Sequence, residues 1–283
     1  MKSVLYGLLI CAKNFSVYEE KIVYVQDGLR STRRRLYMCR MDYAYFTDKG
    51  DREHNEDYIG FSEAGDKKIF VLADGLGGHG KGEVASCLVV ENVKSMLNDN
   101  NVKDEKFLDN CFVMSQERLL DEQKKSNSNG KMKTTLVILY IDGTTAKYGH
   151  IGDSRLYVVK NGKIQKRTID HSVPQMLALA GEIREKDIRH HEDRNRLLRA
   201  MGNEWDDSSP KYEIDDTLDI EKGMSFLLCS DGFWEWITEK EMEKCLCKGD
   251  SSREALDLMV ERVKKSGKNK NMDNYSAILV RFE

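Results

Sequence analysis

The sequence predicts an α+β fold in which antiparallel sheets are covered by helices, and three observations point there. The strand-like segments come in hairpin-like groups, the helix-like segments come in pairs, and strict strand–helix alternation is missing. The period first alternates over residues 43–47 and 58–61. Residues 69–73 (I-F-V-L-A) are nearly all apolar, as expected of a strand buried on both faces. Ala85, Val89, Val93 and Leu97 then recur at four-residue steps, so a helix is expected over 83–97, with a second over 104–123. The polar tract at 126–131 reads as a loop. Strands are expected at 134–141, 146–151 and 155–160, the last turned by Asn161-Gly162 into 163–168, a strong hairpin signal. Helical and loop segments fill 173–204, and strands return at 211–218 and 224–229. Thr238-x-x-Glu241 and Ser251-x-x-Glu254 open two further helices as capping boxes, and a strand at 275–282 closes the chain.

Composition bounds the rest. At 283 residues, 40% apolar and 33% charged, the chain is an ordinary soluble globular protein of one large domain or two small ones. A net charge of -3 leaves no nucleic-acid footprint. Seven cysteines without regular spacing point to free thiols in a reducing, cytoplasmic compartment. Cys245-x-Cys247 has no partners at zinc spacing and reads as two thiols on one helix. The apolar stretch at 4–12 is far shorter than the roughly 20 residues of a membrane span. Residues 1–40, with their Arg33-Arg34-Arg35 run, share no chemistry with the remainder. They read as an N-terminal appendage or an artefact of start-codon choice, the functional protein beginning near Met38 or Met41.

Chemistry concentrates in four acidic motifs: R-E-H-N-E-D (52–57), L-A-D-G-L-G-G-H (72–79), C-S-D-G (229–232) and M-D-N (272–274). Asp74 and Asp231 each follow an apolar run and precede glycine, Asp273 stands before the last strand, and Glu56-Asp57 enters an early one. Glycine lets a carbonyl approach an ion closely, and hard carboxylates are the ligands of hard divalent cations. Several like charges in one pocket are strongly unfavourable unless cations neutralise them or some stay protonated. Two such ions side by side can activate water and clamp a phosphoryl group in transfer. Any single D-G is by itself more often a turn.

Taken as a set, the motifs resemble the metal-dependent serine/threonine protein phosphatase family of the phosphatase 2C type, especially its bacterial members. The matching stretches are T-D-K-G-x-R-x-x-N-E-D (47–57), V-L-A-D-G-L-G-G-H-x-x-G-E-V-A-S (71–86), T-T-L (134–136), H-I-G-D-S-R-L-Y (150–157), D-H-S (170–172), A-G-E-I (180–183), L-L-R-A-M-G (197–202), L-L-C-S-D-G-F-W-E (227–235) and D-N-Y-S-A-I-L-V (273–280). The resemblance spans about residues 43–283, which makes 41–283 one catalytic domain. It implies two antiparallel sheets packed as a sandwich with helix pairs outside, four layers in all. It also implies hydrolysis of phosphoserine and phosphothreonine in proteins, by direct attack of a metal-bridging hydroxide without a phosphoenzyme.

Carried over by position, Asp74 bridges two Mn²⁺ or Mg²⁺ ions, and the Gly75 carbonyl, Asp231 and Asp273 complete their shells. Glu56 and Asp57 hold metal-bound waters, and Asp153 joins Asp231 at a third, weaker ion site. Arg52 grips the substrate phosphate, its planar fork matching phosphate oxygens. The implied partners are phosphorylated proteins, substrates of serine/threonine kinases; a monomer is expected, with neither nucleic acid nor membrane.

Two departures stand out. Animal members carry D-G-H with a histidine proposed as general acid; that position is Leu76 here, as it is apolar in bacterial members, and His79 reads as a packing or capping residue. The segment 171–191 corresponds to the family's variable flap. Its charges, Arg184, Glu185, Lys186, Asp187 and Arg189, could select substrates but read more simply as a solvated face. Two rivals remain: a catalytically weak or inactive relative acting as a phosphoprotein-binding regulatory module, and a thiol-dependent phosphatase built on Cys247-x5-Arg253. The first is disfavoured because every expected acid is present, the second because a helix, not a buried strand, precedes the cysteine.

Overall fold

The computed structural model describes residues 39–76, 81–97, 106–128, 130–205 and 211–283. The appendage expected over residues 1–40 therefore lies outside the described residues except for Cys39 and Arg40, and His79 lies outside them too. The chain first forms β1 (Met41–Asp48), β2 (Asp57–Ala64) and β3 (Lys67–Leu76), then α1 (Lys81–Met96) and α2 (Phe107–Lys125). Next come β4 (Lys133–Thr134), β5 (Leu136–Asp142), β6 (Thr145–Ile151), β7 (Arg155–Lys160) and β8 (Lys163–Arg167), followed by α3 (Val173–Leu179) and a 3₁₀ turn (Glu185–His190). The last part holds β9 (Glu213–Ile214), β10 (Leu218–Asp219), β11 (Met224–Cys229), α4 (Asp231–Trp234), α5 (Glu239–Lys248), α6 (Ser252–Gly267) and β12 (Tyr275–Phe282).

The strands build two antiparallel sheets, one in the order β1-β12-β11-β7-β8 and one in the order β10-β6-β5-β3-β2. Alternation along β3 explains the layering. Phe70 and Leu72 face inward with Val137, Leu139, Phe226, Leu228, Ile278 and Val280, forming the core between the sheets. Ile69, Val71 and Ala73 point the other way, against Val89, Val93, Phe112 and Leu119 of α1 and α2. On the opposite side Leu227, Cys229, Ala277 and Leu279 meet Met242, Leu246, Leu256, Met259 and Val263 of α5 and α6. The result is the four-layer arrangement expected, helix pairs outside two sheets, with β3 buried on both faces. Truncating a side chain such as Leu72, fully buried, would cost about 2–5 kcal/mol.

Several local expectations change. The strand expected at 134–141 breaks at Thr135, whose backbone N–H donates to the Asp74 carbonyl at 2.8 Å while its hydroxyl accepts from the Asp74 N–H at 2.9 Å. The strand expected at 211–218 shrinks to β9 and β10, because Asp215-Asp216 suits a ladder poorly and Asp215 turns to pair with Lys166. Thr238 opens α5 as expected, its N–H donating to Glu241 Oε2 at 3.0 Å. Ser251 makes only half of its box: its Oγ accepts from Glu254 N at 3.2 Å, but the Glu254 carboxylate reaches the N–H of Asp250. The short helix α4 gave no sequence signal, since four residues are less than one period of a pattern. Among the described residues no helix is long and apolar enough to cross a membrane.

Candidate metal centre

The acidic motifs meet at one end of the sandwich because of register. Asp57 is the first residue of β2 and pairs directly with Asp74 in β3. From the other sheet, β11 ends at Cys229 and delivers Asp231 two residues on, while Asp273 and Asn274 lead into β12 beside it. Asp153 sits in the turn that carries the chain from β6 in one sheet to β7 in the other. Asp74, Asp153, Asp231, Asp273, Glu56 and Gly75 all line one cleft of about 800 Å³, together with Arg52. Asp57 lies buried beneath them.

Close backbone approaches hold this end together. The Gly75 N–H donates to the Glu56 carbonyl at 3.1 Å, and a Cβ on Gly75 would strike the backbone of Gly82 at the start of α1. Gly50 has φ +59°, and a Cβ there would strike the Asp273 carbonyl oxygen, so the loop bearing Arg52 packs directly on the turn before β12. Asn274 ties the two: its Nδ2 donates to the carbonyls of Lys49 and His54, both at 2.9 Å, and its Oδ1 accepts from Glu56 N at 2.8 Å. Arg52 Nη2 reaches Asp273 Oδ2 at 2.7 Å.

The electrostatics are those of uncompensated negative charge. Burial pushes Asp57 up to about 7, against the nearby polar groups of Ser276 and Ser230 that favour its charged form, and Asp231 and Asp273 add repulsion. Burial, followed by Asp57, Asp231 and Asp153, lifts Asp74 well above the usual carboxylate range. Asp153 rises through burial, then Asp231 and Asp170; Asp231 through burial, then Asp273, against the pull of Arg194. Glu56 rises through burial, then Asp273 and Glu83. Asp74 and Asp231 stand close enough to hydrogen-bond when one keeps its proton. The cations at hand are Arg52, which is half exposed, and Arg194, whose Nη1 lies 3.9 Å from Asp231 Oδ2 and 2.9 Å from Glu235 Oε2.

Hard divalent cations fit this donor set. The carboxylates converge in a polar cleft with too few positive side chains, and Asp57 Oδ1 is buried without a hydrogen-bond partner. A second group of potential donors, His150, His171 and Glu213, lies within 4.8 Å of one another but suits a metal poorly. The two imidazoles stack with planes 11° apart, so their in-plane lone pairs cannot converge on one ion. His171 Nδ1 already accepts from Gly152 N at 3.1 Å, which leaves the proton on Nε2, facing Glu213 Oε1 at 3.2 Å.

Other supporting residues escaped sequence reasoning. Ser230 Oγ donates to Asp57 Oδ2 at 2.7 Å and accepts from Ser276 N at 2.9 Å. Trp234 Nε1 donates to the Asp153 carbonyl at 2.9 Å, and Arg155 lies 3.5 Å from the centre of its ring. Arg155 in turn makes a buried fork with Asp170, Nε–Oδ1 2.9 Å and Nη2–Oδ2 2.7 Å. Ser230, Trp234, Arg155 and Asp170 all lie inside the matching stretches at 150–157, 170–172 and 227–235, but what each touches depends on three-dimensional neighbours. In the flap segment Arg184 pairs with Asp187 in solvent, but Arg189 is buried, bonded to Glu239 at 2.5 Å, so the segment is not simply a solvated face. Cys247 belongs to α5 and Arg253 pairs with Asp257 in α6, which leaves no phosphate-cradling loop between them.

Comparison with known proteins converges on the same chemistry. A family model for protein phosphatase 2C matches residues 49–275. The serine/threonine phosphatase Stp of Listeria innocua is 32% identical over 249 residues, covering 85% of this chain and 95% of that protein. Among solved structures, the Mycobacterium tuberculosis serine/threonine phosphatase PstP/Ppp superposes with a TM-score of 0.74 at 28% identity, over 86% of this chain and 99% of that one. The catalytic domain of serine/threonine protein phosphatase PstP in complex with two manganese ions gives a TM-score of 0.71 at 26% identity, over 85% and 97% respectively.

Proposed function

The chain belongs to the protein phosphatase 2C family and is a metal-dependent serine/threonine protein phosphatase, and from that premise we propose how its own residues divide the work. Asp74, the Gly75 carbonyl, Asp231 and Asp273 hold two Mn²⁺ or Mg²⁺ ions, Glu56 and Asp57 support their shells, and Asp153 with Asp231 offers a third, weaker site. The observation that carries this reading is the meeting of carboxylates from both sheets in one cleft beside a half-exposed arginine. When bound, the cations supply Lewis acidity toward phosphoryl oxygens and lower the pKa of water.

The protein's part is to bind and orient. Arg52, at the rim, takes the phosphate of the incoming phosphoserine or phosphothreonine through its fork, exchanging its bond to Asp273 Oδ2 for substrate oxygens. Asn274 fixes the Arg52 loop against Glu56, so the phosphate grip and the acidic wall move as one body. Ser230 orients Asp57 and leaves Oδ1 aimed away from that bond. Trp234 pins the Asp153 turn by its carbonyl. Substrates are phosphorylated proteins, products of serine/threonine kinases, handled by a monomer that needs neither nucleic acid nor a membrane. Six described cysteines are all free thiols, in keeping with a cytoplasmic setting, and residues 41–283 form the single catalytic domain.

The test is turnover of a phosphothreonine peptide with added Mn²⁺, against EDTA and against a phosphotyrosine peptide. Hydrolysis that requires the metal and prefers phosphothreonine supports the assignment. Activity untouched by chelator, or lost on thiol alkylation, contradicts it.

A further inference from the structure

A second concavity, of about 230 Å³, lies between α5 and α6 and shares no lining residue with the acidic cleft. Its walls carry Lys244 and Lys248 from α5 and Arg262 and Lys265 from α6, over an apolar floor that includes Leu258 and Cys245. Glu241 and Glu261 line it too, which leaves a net charge of 4 − 2 = +2 on a chain whose total is -3. Glu241 is already committed, to the Thr238 N–H at 3.0 Å and to Arg262 Nε at 3.1 Å.

Surface lysines divide into those with a carboxylate partner and those without, and three of this groove fall in the second group. Lys68, Lys94, Lys160 and Lys163 each pair with a glutamate. Lys244, Lys248 and Lys265 are exposed and make no ion pair among the described residues. Lys244 and Lys248 also stand four apart on one helix, where like charges destabilise by about 0.2–0.5 kcal/mol. Lys248 and Lys265 suit the helix dipoles by their place in the last turns of α5 and α6, but among the described residues no carboxylate answers the three ammonium groups as an ion-pair partner, and an anionic partner would.

We propose that the α5–α6 groove docks an extended acidic segment of the phosphoprotein substrate, an inference that rests on the phosphatase reading but concerns a surface apart from its chemistry. The cations recur about one helical turn, roughly 5.4 Å, apart along each wall. Alternate side chains of an extended peptide recur at roughly 6.6 Å, so successive acids can meet successive cations. A point anion would use only one or two of them. A membrane is disfavoured because none of the exposed large hydrophobic side chains belongs to α5 or α6. A nucleic-acid strand is disfavoured because the groove offers no aromatic ring for base stacking.

The probe is a fluorescein-labelled alternating Asp-Glu octapeptide, followed by anisotropy at low salt with the full chain. Wild type should bind it, Lys244→Glu/Lys265→Glu should weaken it on the order of tenfold, and Lys244→Gln/Lys265→Gln by less. Joined through a Gly-Ser linker to a phosphothreonine peptide, the same tail should lower KM for wild type and not for the charge-reversed enzyme, with turnover of the tail-less peptide unchanged in both. No binding to wild type, equal binding to both enzymes, or tighter binding of an oligonucleotide or of phosphatidylserine vesicles overturns the proposal. Should neither phosphopeptide be hydrolysed, the phosphatase reading fails, while the anisotropy result still decides the groove.

Discussion

Ser230 Oγ donates to Asp57 Oδ2 at 2.7 Å, joining the loop after β11 in one sheet to the first residue of β2 in the other. The bond sits beneath the acidic cleft and sets which Asp57 oxygen remains open. Ser230→Ala removes the donor from a buried carboxylate. It should cost about 1–3 kcal/mol of stability and weaken Mn²⁺ binding about 10–100-fold, as loss of a supporting hydrogen bond to a metal site does. Calorimetric Mn²⁺ titration and thermal melts of the variant check both.

Arg52 holds Asp273 in the resting site and is given the substrate phosphate in the proposed reaction. Arg52→Ala should therefore raise KM for a phosphothreonine peptide by about tenfold or more, with a smaller change in metal affinity. Arg52→Lys should recover only part of the loss, since an ammonium lacks the rigid planar fork that meets two phosphate oxygens side by side. A variant whose metal affinity falls while KM holds would make Arg52 a structural counter-charge instead.

The raised carboxylates give a pH dependence with a definite sign. Asp57 goes from 3.8 to about 7 on folding, so between those values the native state binds a proton that the unfolded state does not. Stability of the metal-free protein must then fall as pH rises through that window, and Asp74, Asp153 and Asp231 push the same way. Melting temperature in EDTA should drop between pH 5 and pH 8 by several degrees, roughly 2–8 °C. Added Mn²⁺ should restore it at pH 8, with release of protons.

The Arg155–Asp170 fork is almost wholly buried and stacked on Trp234. Asp170→Ala would strand the guanidinium, at a cost of about 3–5 kcal/mol, and disturb the Trp234 bond that steadies the Asp153 turn. Chemical denaturation should report the loss. Conversion of Arg155 and Asp170 together to apolar residues should recover much of it.

What the sequence made legible was whatever repeats or sits at a strand end. The buried run at 69–73, the Asn161-Gly162 turn and the Thr238 capping box each act within a few residues, so local pattern sufficed. Asp74, Asp231 and Asp273 were findable because apolar runs end beside them. Ser230, Asn274 and Trp234 lie inside the matching stretches, yet their roles, like that of Arg194, were hidden because they are contacts across as many as 225 positions of chain, as between Asn274 and Lys49. Arg189 misled because a charge run reads as solvated, whereas Glu239 and the Trp234 face give that one guanidinium a buried seat.

The most direct test of the binuclear assignment is manganese-dependent hydrolysis of a phosphothreonine peptide by Asp231→Asn beside wild type, with folding checked by circular dichroism. A folded variant whose turnover drops by orders of magnitude is the expected result. Near-normal turnover by that variant would mean that Asp231 holds no catalytic ion.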